Sequence, residues 1–355
     1  MRTKLTRARK LIGPRGALAA ALTLAAVAVL PWPGQPTRAA TGAETAAETT
    51  AAGTEQVSVC LATTRDTARE QTLRVPRAAA DVLLRYTLSY EGVCASYGAP
   101  SALGAGELRT YAQLADGRPQ SVGIVFPKST LTGLPTAMTD GKHCYDMNGD
   151  GSVNEHTECV GGHERPLELP AQLASFPDMP LKWALVNYNP MGHGPEHIYD
   201  SPHFDFHFYV QPKAERDAIR TGPCGLAIDC EDFATATKPL PPQYLPQDYQ
   251  DNGVAEAAMG NHLVDMSSGE WHGESFTQTF IYGAYDAKIS FLEPMISKAW
   301  LQGVAAGTNP SRCWPVKQPQ QWQEAGWYPQ EYCIEYRANR GEYTVSMRNF
   351  RHSAA

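Results

Sequence analysis

"PHFDFHFYV" (residues 202–210) sets His203, Asp205 and His207 in strict alternation with Phe204, Phe206 and Phe208. Successive side chains of a β-strand point to opposite faces, so this spacing predicts a strand with two unlike sides. Three phenylalanines face a core, and two imidazoles and a carboxylate share the other side. Outward from this stretch the same strand grammar recurs. "LKWALVNYN", "QTFIYGAYD" and "KISFLEPM" are short, aromatic and β-branched, with Pro, Gly or Asp at their ends. "ELRTYAQL" and "QSVGIVF" flank the turn signal "ADGRP" and read as a hairpin. "EYCIEYRANRGEYTVSMRNF" reads as a closing hairpin turning at Asn339–Gly341. Helical signals are fewer. "AAADVLLRYTLSYE" and "PMISKAWLQGV" are the best, the second with Pro294 near its start. The expected fold class is α+β, β-dominated: one large domain, residues 57–352, with a disulfide framework and a C-terminal β-hairpin.

The polar side of the histidine strand carries the candidate chemistry. Nine of the chain's ten histidines lie between His143 and His272. Neutral imidazole and carboxylate are ligands for divalent transition metals such as zinc, manganese or iron. At roughly 3.3 Å per residue, positions 203 and 205 lie about 6.6 Å apart, but 203 and 207 about 13 Å. His203 and His207 therefore share one ion only if the strand bends, and other ligands must join. The candidate metal set is His193, His197, His203, Asp205, His207 and His262, with Glu196 nearby. Asp265, His272, Glu274, His163 and Glu164 form a further polar reserve, and Tyr199, Tyr209 and Trp271 are candidate pocket walls. The other reading of the same residues is a structural polar network bonded to backbone carbonyls and carboxylates.

A second feature is "CYDMNGDGSVNEHTEC" (residues 144–159). Asp146, Asn148, Asp150 and Ser152 follow the D-x-N-x-D-G spacing of calcium loops, with Gly151 at the turn and Val153 at the apolar eighth place. The twelfth position departs from the pattern: Thr157 stands there, and Glu158 follows one residue later. A Ca²⁺ held by Asp146, Asn148, Asp150, Ser152 and Glu158 would stabilise the loop; a plain Asx-rich turn is the alternative.

The N-terminus reads as a secretory signal peptide, residues 1–40: a basic start, the apolar run Ala17–Leu30, then small residues before a cut near Ala39 or Ala40. That run is shorter than the roughly 20 residues that span a bilayer, so no transmembrane segment is expected in the mature chain. Residues 41–56 are Ala-, Thr- and Glu-rich and read as a flexible linker. The expected location is secreted, extracellular or in the cell envelope. Cleavage removes seven Lys/Arg and no acid, moving the formal charge from −7 to −14. So acidic a chain repels phosphate backbones, and nucleic acid is excluded as an expected partner. A small-molecule or polymer ligand, or a homo-oligomer, is compatible with the sequence.

All eight cysteines, Cys60, Cys94, Cys144, Cys159, Cys224, Cys230, Cys313 and Cys333, lie in the mature chain and read as disulfides. Eight cysteines allow 105 connectivities; sequence proximity selects 144–159, 224–230 and 313–333, leaving 60–94. G-x-S-x-G, P-loop, G-x-G-x-x-G and H-E-x-x-H patterns do not occur, which removes the ordinary support for serine-hydrolase and nucleotide-binding functions.

"RTYAQLADGRPQSVGIVF", "CYDMNGDGSVNEHTECVGGHE", "YNPMGHGPEHIYDSPHFDFHFYV", "MGNHLVD" and "TFIYGAYDAKISFLEPMI" together resemble a family of uncharacterised secreted bacterial proteins with a GHxPExxYDxPHFDFHFY signature. The likeness runs over most of residues 100–300 and thins between Val57 and about Pro100. It implies export, a single domain and a shared histidine strand, and it transfers no catalytic residue. Two function classes stay open: a secreted metalloprotein using the His/Asp strand in catalysis, and a non-catalytic extracellular binding or structural protein with a polar histidine core.

Overall fold

The computed structural model describes residues 55–355. The expected signal peptide and all but the last two residues of the linker lie outside the described residues. The first strand, Gln56–Leu61, opens one residue before the expected domain start.

Alternation along "HFDFHFY" does what it predicts. The histidine strand, His203–Tyr209, is buried along its whole length. It lies third in a seven-stranded antiparallel sheet whose spatial order is His163–Glu168, Trp183–Asn189, His203–Tyr209, Lys288–Ser297, Gln278–Tyr285, Gly260–Asp265, Tyr249–Glu256. Both expected hairpins belong to a second sheet. Gly106–Ala115 pairs with Arg118–Pro127 across Asp116 and Gly117, both at positive φ (54° and 69°), as tight hairpin turns that match strand twist require. Glu331–Arg337 pairs with Glu342–Arg348, which in turn pairs with Arg118–Pro127. A small sheet of Gln71–Pro76, Gln56–Leu61 and Tyr90–Glu91 lies in the N-terminal part of the described chain.

The two large sheets pack through the phenylalanine side of the histidine strand. Phe204, Phe206 and Phe208 share one apolar cluster with Val122, Ile124, Phe126, Tyr343, Val345 and Met347 of the second sheet. Phe206 stacks on Phe126 at 5.9 Å between ring centroids, and Phe126 on Tyr343 at 5.2 Å. The fold is α+β and β-dominated. The polar side of the histidine strand therefore faces away from the main core.

One expected helix begins later than its sequence suggests. Pro294 lies inside strand Lys288–Ser297, and the helix is Lys298–Ala306, capped by the Ser297 hydroxyl, which accepts from the Trp300 amide at 3.1 Å. A proline in an inner strand cannot donate to its neighbour's ladder. Pairing with the histidine strand is registered at Asp205–Met295 and Phe208–Leu292 and lapses between them, beside Pro294. Helix Arg77–Tyr86 forms where expected but stops before Thr87.

The four disulfides are Cys60–Cys94, Cys144–Cys159, Cys224–Cys230 and Cys313–Cys333, the pairing that sequence proximity selects. Cys60–Cys94 closes the longest loop, 34 residues, and ties the small N-terminal sheet together. Its removal relaxes the unfolded chain most. A Cys60→Ala/Cys94→Ala variant is expected to lose about 2–4 kcal/mol, read as a lower denaturant midpoint in equilibrium unfolding. A change below about 1 kcal/mol would show that this bridge does not restrain the unfolded ensemble. Among the described residues, no helix is long and apolar enough to cross a membrane.

Candidate metal centre

Antiparallel pairing decides which side chains stand beside the imidazoles. Asn187 is opposite Asp205 and Asn189 is opposite His203 on one side. On the other side, strand Lys288–Ser297 alternates Phe291, Glu293 and Met295 toward the same face, with Ile281 opposite Glu293 one strand further. His262 is opposite Gly283, and Val254 is opposite His262. Three strands of this sheet thus bring His203, Asp205, His207, Glu293 and His262 to one surface.

A loop closes over that surface. Gly192 turns the chain at φ 76°, where a Cβ would meet the Tyr199 carbonyl oxygen at 2.2 Å, so glycine alone permits this close return. The His193 amide donates to the Tyr199 carbonyl at 3.1 Å, clamping the loop. The loop lowers His193 onto His203, with ring centroids 4.6 Å apart, and places Tyr199 over the cavity. The Tyr199 hydroxyl donates to Glu270 Oε1 at 3.2 Å and its ring meets Trp271 edge-on at 6.1 Å. The cavity measures about 190 Å³ and is walled by Pro195, Val254, Met259, Val264, Ile281 and Met295 besides the polar groups.

The six nominated metal ligands do not form one group. His193, His203 and Asp205 offer one ligand atom each within 4.8 Å of one another, and so do His207, His262 and Glu293. His203 and His207 fall on different trios, as their separation along an unbent strand requires. His197 joins neither: its side chain is exposed, near Glu196 and Asp200, each at 3.7 Å.

In the first trio, His203 Nε2 lies 3.3 Å from Asp205 Oδ1 and His193 Nε2 lies 3.8 Å from Asp205 Oδ2. Both Nδ1 atoms lie 2.7 Å from backbone carbonyls, His203 at Ser201 and His193 at Gly194. A carbonyl only accepts, so each Nδ1 donates to its carbonyl and each Nε2 is the atom turned toward Asp205; His203 Nε2 also lies 3.2 Å from the Asn189 amide nitrogen. This is how metal-binding histidines are oriented by their outer nitrogen. The Asn189 amide donates to Asp205 Oδ2 at 2.6 Å and fixes that carboxylate. Burial pushes the Asp205 carboxyl up, but the surrounding imidazoles, His203 first, outweigh it and hold it at about 2. Burial drives His203 down to about 4 and His207 to about 3, so both rings are neutral and able to bind a cation at neutral pH. His193 is also desolvated, but the Asp205 carboxylate overcomes that and raises it to about 9, so at neutral pH its Nε2 carries a proton that a bound cation must displace.

Glu293, Asn189 and Glu256 are parts of this surface that the sequence reading did not nominate. A charged residue at the centre of the apolar strand "KISFLEPM" was the available signal for Glu293. The reserve residues go elsewhere. Glu164 is buried against Arg216, with His143 Nε2 at 3.2 Å. Asp265 pairs with Lys317 at 2.8 Å, and His163 Nε2 is bonded to the Ala137 carbonyl at 2.7 Å. His272 Nε2 meets the Met266 carbonyl at 2.9 Å. Tyr209 does not wall the cavity but stacks under Trp183 at 4.2 Å.

In the 144–159 loop, the Asp146 carboxylate accepts from the amides of Gly149, Asp150 and Gly151, and Asp150 Oδ1 from Ser152. The offset Glu158 accepts from the Met147, Asn148 and Asn154 amides. The carboxylates are turned toward the loop's own backbone.

Comparison with known protein families, curated proteins and solved structures finds no match to this chain.

Proposed function

We propose that this is an exported protein that binds a divalent transition metal through His193 Nε2, His203 Nε2 and an Asp205 carboxylate oxygen. The observation that carries the reading is the double orientation of the two imidazoles. Their Nδ1 atoms are tied to backbone carbonyls, and their Nε2 atoms converge on one fixed carboxylate. Two imidazoles and one carboxylate suit Zn²⁺, Mn²⁺ or Fe²⁺ and leave coordination positions for water or a ligand. The adjoining cavity gives such a ligand room, and no reaction is assigned. Four disulfides and the basic, then apolar N-terminus support export. The bacterial secreted family that the histidine motif resembles supports it as well. Calcium in the 144–159 loop is a separate proposal, supported by its D-x-N-x-D-G spacing.

Elemental analysis of the mature protein, residues 41–355, tests both proposals. Wild type is expected to retain Zn, Mn or Fe in stoichiometric amount, and His193→Ala is expected to lose the ion from the first trio. His193 is half-buried on the loop, so this change leaves the buried strand intact. A wild-type protein that binds none of these metals, even after dialysis against each, would refute the reading. Calcium unaffected by His193→Ala and lost in Asp146→Ala is the result expected for the loop; its absence from wild type would remove the loop proposal.

A further inference from the structure

We infer that the same cavity holds a second divalent transition-metal ion, bound by His207, His262 and Glu293. This rests on side chains separate from those of the first trio, although it extends the same reading of the site.

The second trio is assembled from three strands. His207 comes from the histidine strand, Glu293 from its neighbour and His262 from strand Gly260–Asp265. His207 Nε2 lies 3.5 Å from Glu293 Oε2. His262 Nδ1 lies 3.1 Å from the Val254 carbonyl, so its proton is held there and its Nε2 lone pair is presented to the cavity. This matches the orientation of His193 and His203 in the first trio.

Burial makes the arrangement informative. His207 is 1 % exposed and Glu293 2 %. Among the described residues, neither ring nitrogen of His207 nor Glu293 Oε2 has a hydrogen-bond partner. An imidazole and a carboxylate buried side by side without partners are strongly disfavoured, because each forfeits its hydration. A divalent ion between them supplies an electrophile to both lone-pair groups at once. The lapse in strand pairing beside Pro294 lies at this same point, and it leaves the local backbone outside the continuous ladder.

Asp205, Glu293 and Glu256 all line the cavity, and its wall contains no Lys or Arg among the described residues. Asp205 and His207 are two residues apart on one strand, so the two trios face the cavity as neighbours, and both ions address the same space.

The test counts ions per chain in the mature protein, residues 41–355, stripped by chelation and titrated calorimetrically with Zn²⁺ alone and with Mn²⁺ alone. Wild type, His262→Ala, His193→Ala and the double variant are compared, with circular dichroism confirming the fold of each. His262 is half-buried at the cavity wall, and its replacement does not empty the main core. Glu293→Gln, a near-isosteric change, repeats the test on the buried side of the trio. Two ions in wild type, one each in His262→Ala, Glu293→Gln and His193→Ala, and none in the double variant is the expected result. A single wild-type ion lost in His193→Ala and kept in His262→Ala overturns the second site and leaves the first standing. A single ion lost in His262→Ala and kept in His193→Ala refutes the first trio instead. One ion lost in both variants means one shared centre and overturns the inference of two.

Discussion

An Arg216→Met chain is expected to unfold about 3–5 kcal/mol more easily than wild type near neutral pH, because it strands a buried carboxylate. Arg216 and Glu164 are both almost fully buried, and the guanidinium bonds directly to Glu164 Oε1. Burial alone pushes the Glu164 carboxyl up. The hydrogen bond from His143 and the Arg216 charge more than reverse that and hold it at about 2, against an ordinary 4.5. A depressed carboxylate value in the folded state gives stability that is complete above pH 4.5. That stability is lost as pH falls from there through about 2, and the shift corresponds to roughly 3 kcal/mol. Urea unfolding of wild type across this acid window is expected to show the decline, and Glu164→Gln to flatten it. Glu164→Gln/Arg216→Met is expected to recover much of the single-variant loss, since no charge is then left buried. A loss below about 1 kcal/mol in Arg216→Met, or an unchanged acid limb in Glu164→Gln, would refute this account of the pair.

Phe206→Ala is expected to cost about 3–5 kcal/mol and to lower the melting temperature by roughly 10 °C. Phe206 is fully buried at the centre of the histidine strand and stacked on Phe126 of the opposite sheet. The truncation removes a ring where neither sheet can easily close the gap. Phe206→Leu keeps most of the volume and is expected to cost less than half as much. Chemical denaturation of the three proteins checks this. Equal losses for Leu and Ala would mean that the aromatic contact, rather than the filled volume, carries the packing.

What was legible in the sequence was local. A period of two is visible within seven residues, so the histidine strand, both hairpins and the faces of Phe204, Phe206 and Phe208 could be read directly. Cysteine pairing was legible by proximity because each bridge joins elements that follow closely along the chain. The partition of the histidines was not legible. Separating His203 from His207 needs only the strand rise, but assigning His262 and Glu293 to His207 needs pairings across 55 and 86 positions. Those registers are set by the packing of whole strands, which one sequence does not display. Glu293 was hidden for a further reason: it is followed within its strand by Pro294, which reads as a helix start when seen without its neighbours.

The alternation that builds the polar cavity also fixes the register of the sheet. A one-residue slip of the histidine strand would turn every side chain to the opposite face. Two imidazoles and a carboxylate would enter the apolar interior, and three phenylalanines would coat the cavity. Both faces of such a mispaired sheet are penalised together, so the native register is strongly specified. Completion of the polar cavity and completion of the native sandwich therefore depend on the same register.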